Sequence, residues 1–317
     1  MMPSIHESAR EGAVDMRVSI GSLEMKNPVT VASGTFGSGR EYADFFDVNR
    51  LGAVVTKGVS AHPWAGNPGT RIVETASGML NSIGLQNPGV EQFCASDLVW
   101  LKENVPDLPV IVNVPGHSIA DYVAVIERLE AEENVSAYEV NISCPNVDEG
   151  GLAFGVCVRD SAAVTAACRA VTQRPLIMKL SPNVTDITRI AQACEEAGAD
   201  GLSLINTLLG TSIDIHNRKF RFARKVAGLS GPAIKPIALR MVYAVSQAVD
   251  IPLIGMGGIA SPEDAIEFML AGATAVAVGT SNFVDPATAL ECIVGIERYC
   301  DAYEFSRAAD LICAVEG

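Results

Sequence analysis

Cys144 is the residue in this sequence best placed to do chemistry. It ends the stretch YEVNISC, 138–144, in which Tyr138, Val140 and Ile142 alternate with Glu139, Asn141 and Ser143. Alternation of period two marks a strand, so the thiol stands just past a strand end, against Pro145 and between Asn141 and Asn146. A free thiol titrates near about 8.5 and becomes a base or nucleophile where it is exposed and electrostatically assisted. The other seven cysteines, at 94, 157, 168, 194, 292, 300 and 313, fall mostly in helical patterns, as small apolar residues do. No histidine offers itself as a partner: His6 lies in the N-terminal tail, and His62, His117 and His216 lie in loops. The pattern therefore favours a lone thiol acting as general base over a Cys–His hydrolase. Gly150 and Gly151 give the following loop hinges, with which it is expected to close over bound substrate.

Two lysines, Lys57 and Lys179, sit in or beside apolar strand patterns. Lysine is almost never fully buried without a partner, and an anion or an electron-rich ring in the lumen of the fold is expected to supply one. A Schiff-base lysine of the kind used by barrel aldolases is the other chemical reading. Two glycine-bearing turns, IGMGGI with Gly257 and Gly258, and AVGTS with Gly279 and Thr280, place bare backbone N–H groups where a phosphate could approach.

The elements that must position these groups repeat a single unit. Strand patterns fall at 29–33, 53–58, 110–114, 138–143, 176–181, 201–206, 252–256 and 275–279, with amphipathic stretches at 119–133, 161–172, 186–197, 235–248, 262–271 and 286–300. Asp186 and Ser261 read as N-caps, and Gly198 and Gly272 stand where helices stop. Eightfold strand–helix alternation predicts an α/β chain folded as a (β/α)8 TIM barrel. The surplus length predicts an N-terminal hairpin at 18–28 closing the barrel bottom, and insertions after strands 2 (60–92), 4 and 6 (207–233). No linker composition divides the chain, so 1–317 reads as a single catalytic domain with 1–15 as a flexible tail. In this fold the active site forms at the C-terminal strand ends. Those ends carry Ser33, Lys57, Gly58, Asn113, Asn141, Cys144, Lys179, Asn206, Thr207, Gly257, Gly258, Gly279 and Thr280, while the strand bodies are apolar.

Composition narrows the function classes. Among 317 residues, 49% are hydrophobic, and 37 acidic against 23 basic residues leave a net charge of -14. Such a chain is a poor binder of nucleic acid or anionic membrane through its bulk field. The polar N-terminus is no signal peptide, no stretch reaches bilayer-spanning length, and the cysteines show no C-x-x-C. A metal or iron–sulfur cluster is therefore not expected in this chain, and a reducing cytoplasm is its expected setting. The run HNRKFRFARKV, 216–226, is strongly basic within this acidic protein; it reads first as a solvated insertion strand and second as a dock for an acidic partner.

ASGTFGSG (32–39), TKG (56–58), NSIGLQNPG (81–89), NISCPN (141–146), INTLLG (205–210), GLSGPAIKPIALRMV (228–242) and GMGGI (255–259) resemble dihydroorotate dehydrogenase, class 1. The match runs from about residue 16 to the C-terminus, and NSIGLQNPG with CPNVDEGGLAFG is most similar to class 1B. The resemblance implies FMN bound by Ser33, Lys57, Gly58, Asn113, Asn141, Lys179, Ile205, Gly231, Gly257, Gly258, Gly279 and Thr280. It implies substrate contacts from Lys57, Asn81, Ser82, Ile83, Gly84, Leu85, Asn141, Asn206 and Thr207, with Asn146 a further candidate, and Cys144 as the catalytic base. The implied reaction is oxidation of (S)-dihydroorotate to orotate in pyrimidine biosynthesis. In class 1B electrons pass to NAD through a partner subunit that holds FAD and a 2Fe-2S cluster, so a homodimer within a heterotetramer is implied. Class 1A, which uses fumarate, and a dihydropyrimidine dehydrogenase-like enzyme are the neighbouring alternatives; a Schiff-base barrel lyase and a noncatalytic flavin-binding subunit are the distant ones. Pro115 departs from the family pattern, which has a small residue there.

Overall fold

Each apolar run opens into a short parallel strand whose two faces are both covered. The computed structural model describes residues 14–143 and 154–316. Its strands are β1 (Val29–Val31), β2 (Val54–Val55), β3 (Val110–Pro115), β4 (Ala137–Asn141), β5 (Leu176–Lys179), β6 (Gly201–Leu204), β7 (Leu253–Met256) and β8 (Ala275–Val278). They form one eight-stranded sheet in the order β1-β8-β7-β6-β5-β4-β3-β2, every pair parallel. The ring closes between β1 and β2, where Gly52 N donates to Val29 O at 2.9 Å and Thr30 Oγ1 donates to Ala53 O at 2.8 Å.

Helices follow the strands around the outside: α1 (Asp97–Asn104), α2 (Ile119–Leu129), α3 (Val158–Arg169), α4 (Ile187–Glu196), α5 (Lys235–Ser246), α6 (Pro262–Leu270) and α7 (Thr288–Ala302). Their starts have local causes. Ser118 and Asp121 form a reciprocal capping box on α2, and Asp186 and Ser261 accept from Thr188 N and Asp264 N at the starts of α4 and α6. Gly198 and Gly272, at φ 100° and 114°, follow α4 and α6 in the left-handed region open to glycine. The expected eight strands and six later helices are thus all present, with every strand but β3 shorter than the sequence pattern. The helix α1 after β2 carries little amphipathic signal and was not expected.

The barrel interior is sorted by height. Ala53, Val55, Ile111, Ala137, Ile177, Ile254, Met256, Ala275 and Ala277 fill its lower part, together with Val18, Ile20, Leu23 and Met25. Those last four come from an antiparallel hairpin, Val18–Ile20 with Leu23–Met25, which plugs the bottom as expected. The fit is close: a Cβ on Gly201 would lie 2.7 Å from Ile20 Cγ2. Two residues further along the same strands, period two puts Asn113, Glu139 and Lys179 on that inward face, one pleat nearer the C-terminal mouth.

The insertions after β2 and β6 do not stand separately. Ile72–Thr75 and Gly78–Asn81 from the first join Leu208–Gly210 and Ala227–Ser230 from the second in one four-stranded antiparallel sheet over the mouth. The expected insertion after β4 falls on 144–153, outside the described residues. No helix among the described residues is long and apolar enough to cross a membrane.

Candidate active site

Strand β4 brings two polar groups to the barrel mouth. Its outward set, Tyr138 and Val140, packs against the helices, and the Tyr138 hydroxyl donates to Glu130 at 2.8 Å. Its inward set is Glu139 and Asn141. Both faces are buried, so here the polar residues of the alternation point to the lumen instead of to water.

Glu139 sits at the centre of a buried cluster. Its Oε1 accepts from Asn113 Nδ2 at 2.6 Å and from Lys179 Nζ at 3.3 Å, and its Oε2 accepts from Ser203 Oγ at 2.8 Å. The Lys179 and Glu139 side chains are 6% and 1% exposed. The chain thus supplies Lys179 with an anionic partner of its own, from the neighbouring strand. Burial of a charge demands such a partner. Glu139 and Ser203 were not among the expected site residues, although sharing the inward face with Asn141 was a legible signal. With its amide nitrogen engaged by Glu139, Asn113 turns its Oδ1 to the other side. That buried oxygen has no partner among the described residues. It lies where a Cβ on Gly58 would come within 3.0 Å of it.

A second cluster closes the mouth between β4 and β6. Asn141 Oδ1 accepts from Ser143 Oγ at 2.7 Å and from Asn206 Nδ2 at 3.3 Å, and Asn206 Nδ2 also donates to Ser143 Oγ. The Tyr122 hydroxyl pins the Asn141 carbonyl at 3.0 Å. Asn206 Oδ1 accepts from Thr207 N at 2.8 Å. Thr207 then lies against Gly228, where a Cβ would come within 2.3 Å of Thr207 Oγ1. Asn81 Nδ2 donates to Gly228 O at 3.3 Å, so Asn81, Asn206 and Thr207 are joined through the four-stranded sheet. Ser82 to Leu85 continue from Asn81: Ser82 is buried and accepts from Asn67 Nδ2, Asn67 N donates to Ile83 O, and Gly84 and Leu85 both turn at positive φ.

The glycine turns gather on the other side of the mouth. A Cβ on Gly231 would lie 2.6 Å from Gly78 Cα and 3.5 Å from Thr280 Cγ2, and Thr280 Oγ1 donates to Ser230 Oγ at 2.8 Å. Gly257 packs under Ile205 and Gly258 against Lys235, at φ 122° and 87°. The Lys235 ammonium is turned to Asp264 and Glu267 on α6. What this corner presents is backbone. Gly279 differs, since a Cβ there would meet only Ala32 Cβ, at 3.5 Å. Ser33 follows Ala32, whose N donates to Val278 O at 2.8 Å. Lys57 stands at the end of β2, half-buried, its backbone N donating to Gly37 O.

Cys144 and Asn146 lie outside the described residues. The other thiols can be judged. Burial pushes Cys94, Cys194 and Cys300 up to about 11 and Cys168 and Cys292 up to about 12. These five are protonated at neutral pH and unsuited to act as bases.

The chain matches the family model for dihydroorotate dehydrogenase over residues 15–299. It is 56% identical to the "Dihydroorotate dehydrogenase B (NAD(+)), catalytic subunit" of Alkaliphilus oremlandii, covering 94% of this chain and 98% of that one. It is also 56% identical to the protein of the same name from Lachnoclostridium phytofermentans, over 96% of this chain and 100% of the relative. A third, from Bacillus cytotoxicus, is 52% identical over 93% of this chain and 95% of its own. A barrel of this construction, matched along nearly its whole length, makes this chain a member of the dihydroorotate dehydrogenase family, on its class 1B branch.

Proposed function

We propose that this chain oxidises (S)-dihydroorotate to orotate in pyrimidine biosynthesis, with FMN as its bound cofactor. The observation that carries the flavin reading is Asn113 Oδ1, a buried acceptor at the mouth with no donor from the described residues. An oxidised flavin ring has one N–H, at N3, and a carbonyl is its natural partner. Gly58 leaves room beside that oxygen, and the glycine corner of Gly231, Gly257, Gly258, Gly279 and Thr280 offers backbone N–H groups to a phosphate. Ser33, Asn141, Lys179 and Ile205 complete the proposed FMN site. When bound, FMN supplies a two-electron acceptor, which no side chain can.

The residues of the chain do the rest. Asn141 Oδ1 is occupied by Ser143 and Asn206, so the Asn141 amide offers its NH2 to a substrate carbonyl. Lys57, Asn81, Ser82, Ile83, Gly84, Leu85, Asn206 and Thr207 are the remaining proposed substrate contacts. Cys144 takes the C5 proton as the C6 hydride departs. Lys57 steadies the substrate carboxylate.

Electrons leave toward NAD through a partner subunit carrying FAD and an iron–sulfur cluster, in a heterotetramer built on a homodimer in the cytoplasm. The phrase "catalytic subunit" in the relatives' names supports a partner. Anaerobic mixing with dihydroorotate tests the whole reading. Bleaching of the visible flavin spectrum, largely lost in Cys144→Ala, is expected; a colourless chain that cannot be reconstituted with FMN overturns it.

A further inference from the structure

We infer that Glu139 is a positioning residue that keeps Lys179 charged against the flavin. The inference rests on the FMN reading above and concerns a residue to which neither the family resemblance nor the relatives' names give a part. Lys179 is nine-tenths or more buried, and a charge buried so deeply demands a fixed counter-charge. Among the described residues, Glu139 is the only carboxylate within 4.0 Å of Lys179 Nζ, at 3.3 Å. The carboxylate is itself held from two other strands, by Asn113 Nδ2 from β3 and Ser203 Oγ from β6. Its charge is thus fixed by three donors, and the lysine it faces is fixed in turn. Of the three N–H bonds of Lys179, one goes to Glu139. The ammonium stands level with Asn141 in the strand register, at the barrel mouth. A cation there stabilises negative charge that develops on a ring lying over the mouth.

The midpoint potential of bound FMN separates this from the simpler view that Glu139 contributes only its own negative field. Removing a bare negative field eases reduction and moves the potential positive. If Glu139 acts by keeping Lys179 protonated, Glu139→Gln costs the site its cation, and the potential moves negative. The expected result is a negative shift in Glu139→Gln, a larger one in Lys179→Met, which leaves the carboxylate's own field behind, and a double variant that matches Glu139→Gln, because the lysine contributes no cation once its partner is gone. Ser203→Ala keeps both charges and leaves the potential in place, whereas a merely structural role would move it with Glu139→Gln. A positive shift or none in Glu139→Gln overturns the inference while leaving the flavin enzyme standing. A wild-type chain that takes up no FMN overturns both. If Glu139→Gln does not fold, Glu139→Asp carries the test: it keeps the negative charge but draws it one methylene back from Lys179, so a negative shift is expected and an unchanged potential overturns the inference.

Discussion

Asn206, at the end of β6, donates through Nδ2 to Asn141 Oδ1, at the end of β4, across 3.3 Å of the barrel mouth. The contact decides which face each amide shows. Asn141 keeps its NH2 for a ligand, and Asn206 keeps its oxygen on Thr207 N. Replacing Asn206 with Ala leaves the Asn141 amide held by Ser143 alone and removes a proposed substrate contact. We expect kcat/KM for dihydroorotate to fall about 10- to 100-fold, the equivalent of one or two lost hydrogen bonds to a polar ligand. FMN content should stay near one per chain. Steady-state kinetics with a dye acceptor, alongside flavin absorbance, check both halves.

Gly231 and Gly279 both border the proposed phosphate corner, and they should fail differently. Alanine at 231 must hold φ near 96° and place a Cβ 2.6 Å from Gly78 Cα, so it should lower the melting temperature of the apoprotein, by about 1–3 kcal/mol of stability. Alanine at 279 meets only Ala32 Cβ at 3.5 Å within the chain. It should leave the apoprotein close to wild type and weaken FMN at least tenfold if a phosphate fills that space. Thermal melts of the apoprotein and fluorescence titration with FMN separate the two effects.

Gly228→Ala tests the sheet over the mouth. Its Cβ would come within 2.3 Å of Thr207 Oγ1, in the strand that also holds Asn81. Thr207 must move, and KM should rise with FMN affinity unchanged. Unchanged KM would separate the sheet from the substrate site.

The thiols give a pH prediction with a definite sign. Burial raises the folded-state values of Cys168 and Cys292 to about 12, above the ordinary 9.0. Their contribution to stability is therefore fully present below pH 9 and is lost as pH rises from there toward 12, because the unfolded chain can ionise them and the folded chain cannot. Urea midpoints should fall across that window. Below it, a thiol reagent should find Cys94, Cys168, Cys194, Cys292 and Cys300 protected in the native state, and orotate should slow labelling of Cys144.

Much of the barrel was legible because its strands are short and covered on both faces, so apolar runs such as LIMK at 176–179 mark them directly. The bottom hairpin was legible from its alternation about Gly21. The polar cluster was only half legible. Lys179 stood out as a charge in an apolar run, but Glu139 sat in a regular alternation in which charged residues ordinarily face water. Only closure of the ring turns that face inward. The sheet over the mouth was not legible at all, since the pairing of Asn81 with Gly228 leaves no trace in either neighbourhood. The basic run at 218–225 begins in a hairpin, Ile213–Asp214 with Lys219–Phe220, and continues as turns whose basic side chains are exposed while Phe222 is buried against Leu80 and Ala227.

That same pairing, 147 residues apart along the chain, sets an order of events during synthesis. Strands Ile72–Thr75 and Gly78–Asn81 emerge early and can pair only with each other until Ala227–Ser230 has left the ribosome. For nearly half of translation the nascent chain therefore has half of the roof and none of its closure. Contacts so distant in sequence are slow to form. Competence to grip a substrate arrives late, after six of the eight staves and the whole second insertion have been made, so a truncated or stalled product would carry most of a barrel under half a roof.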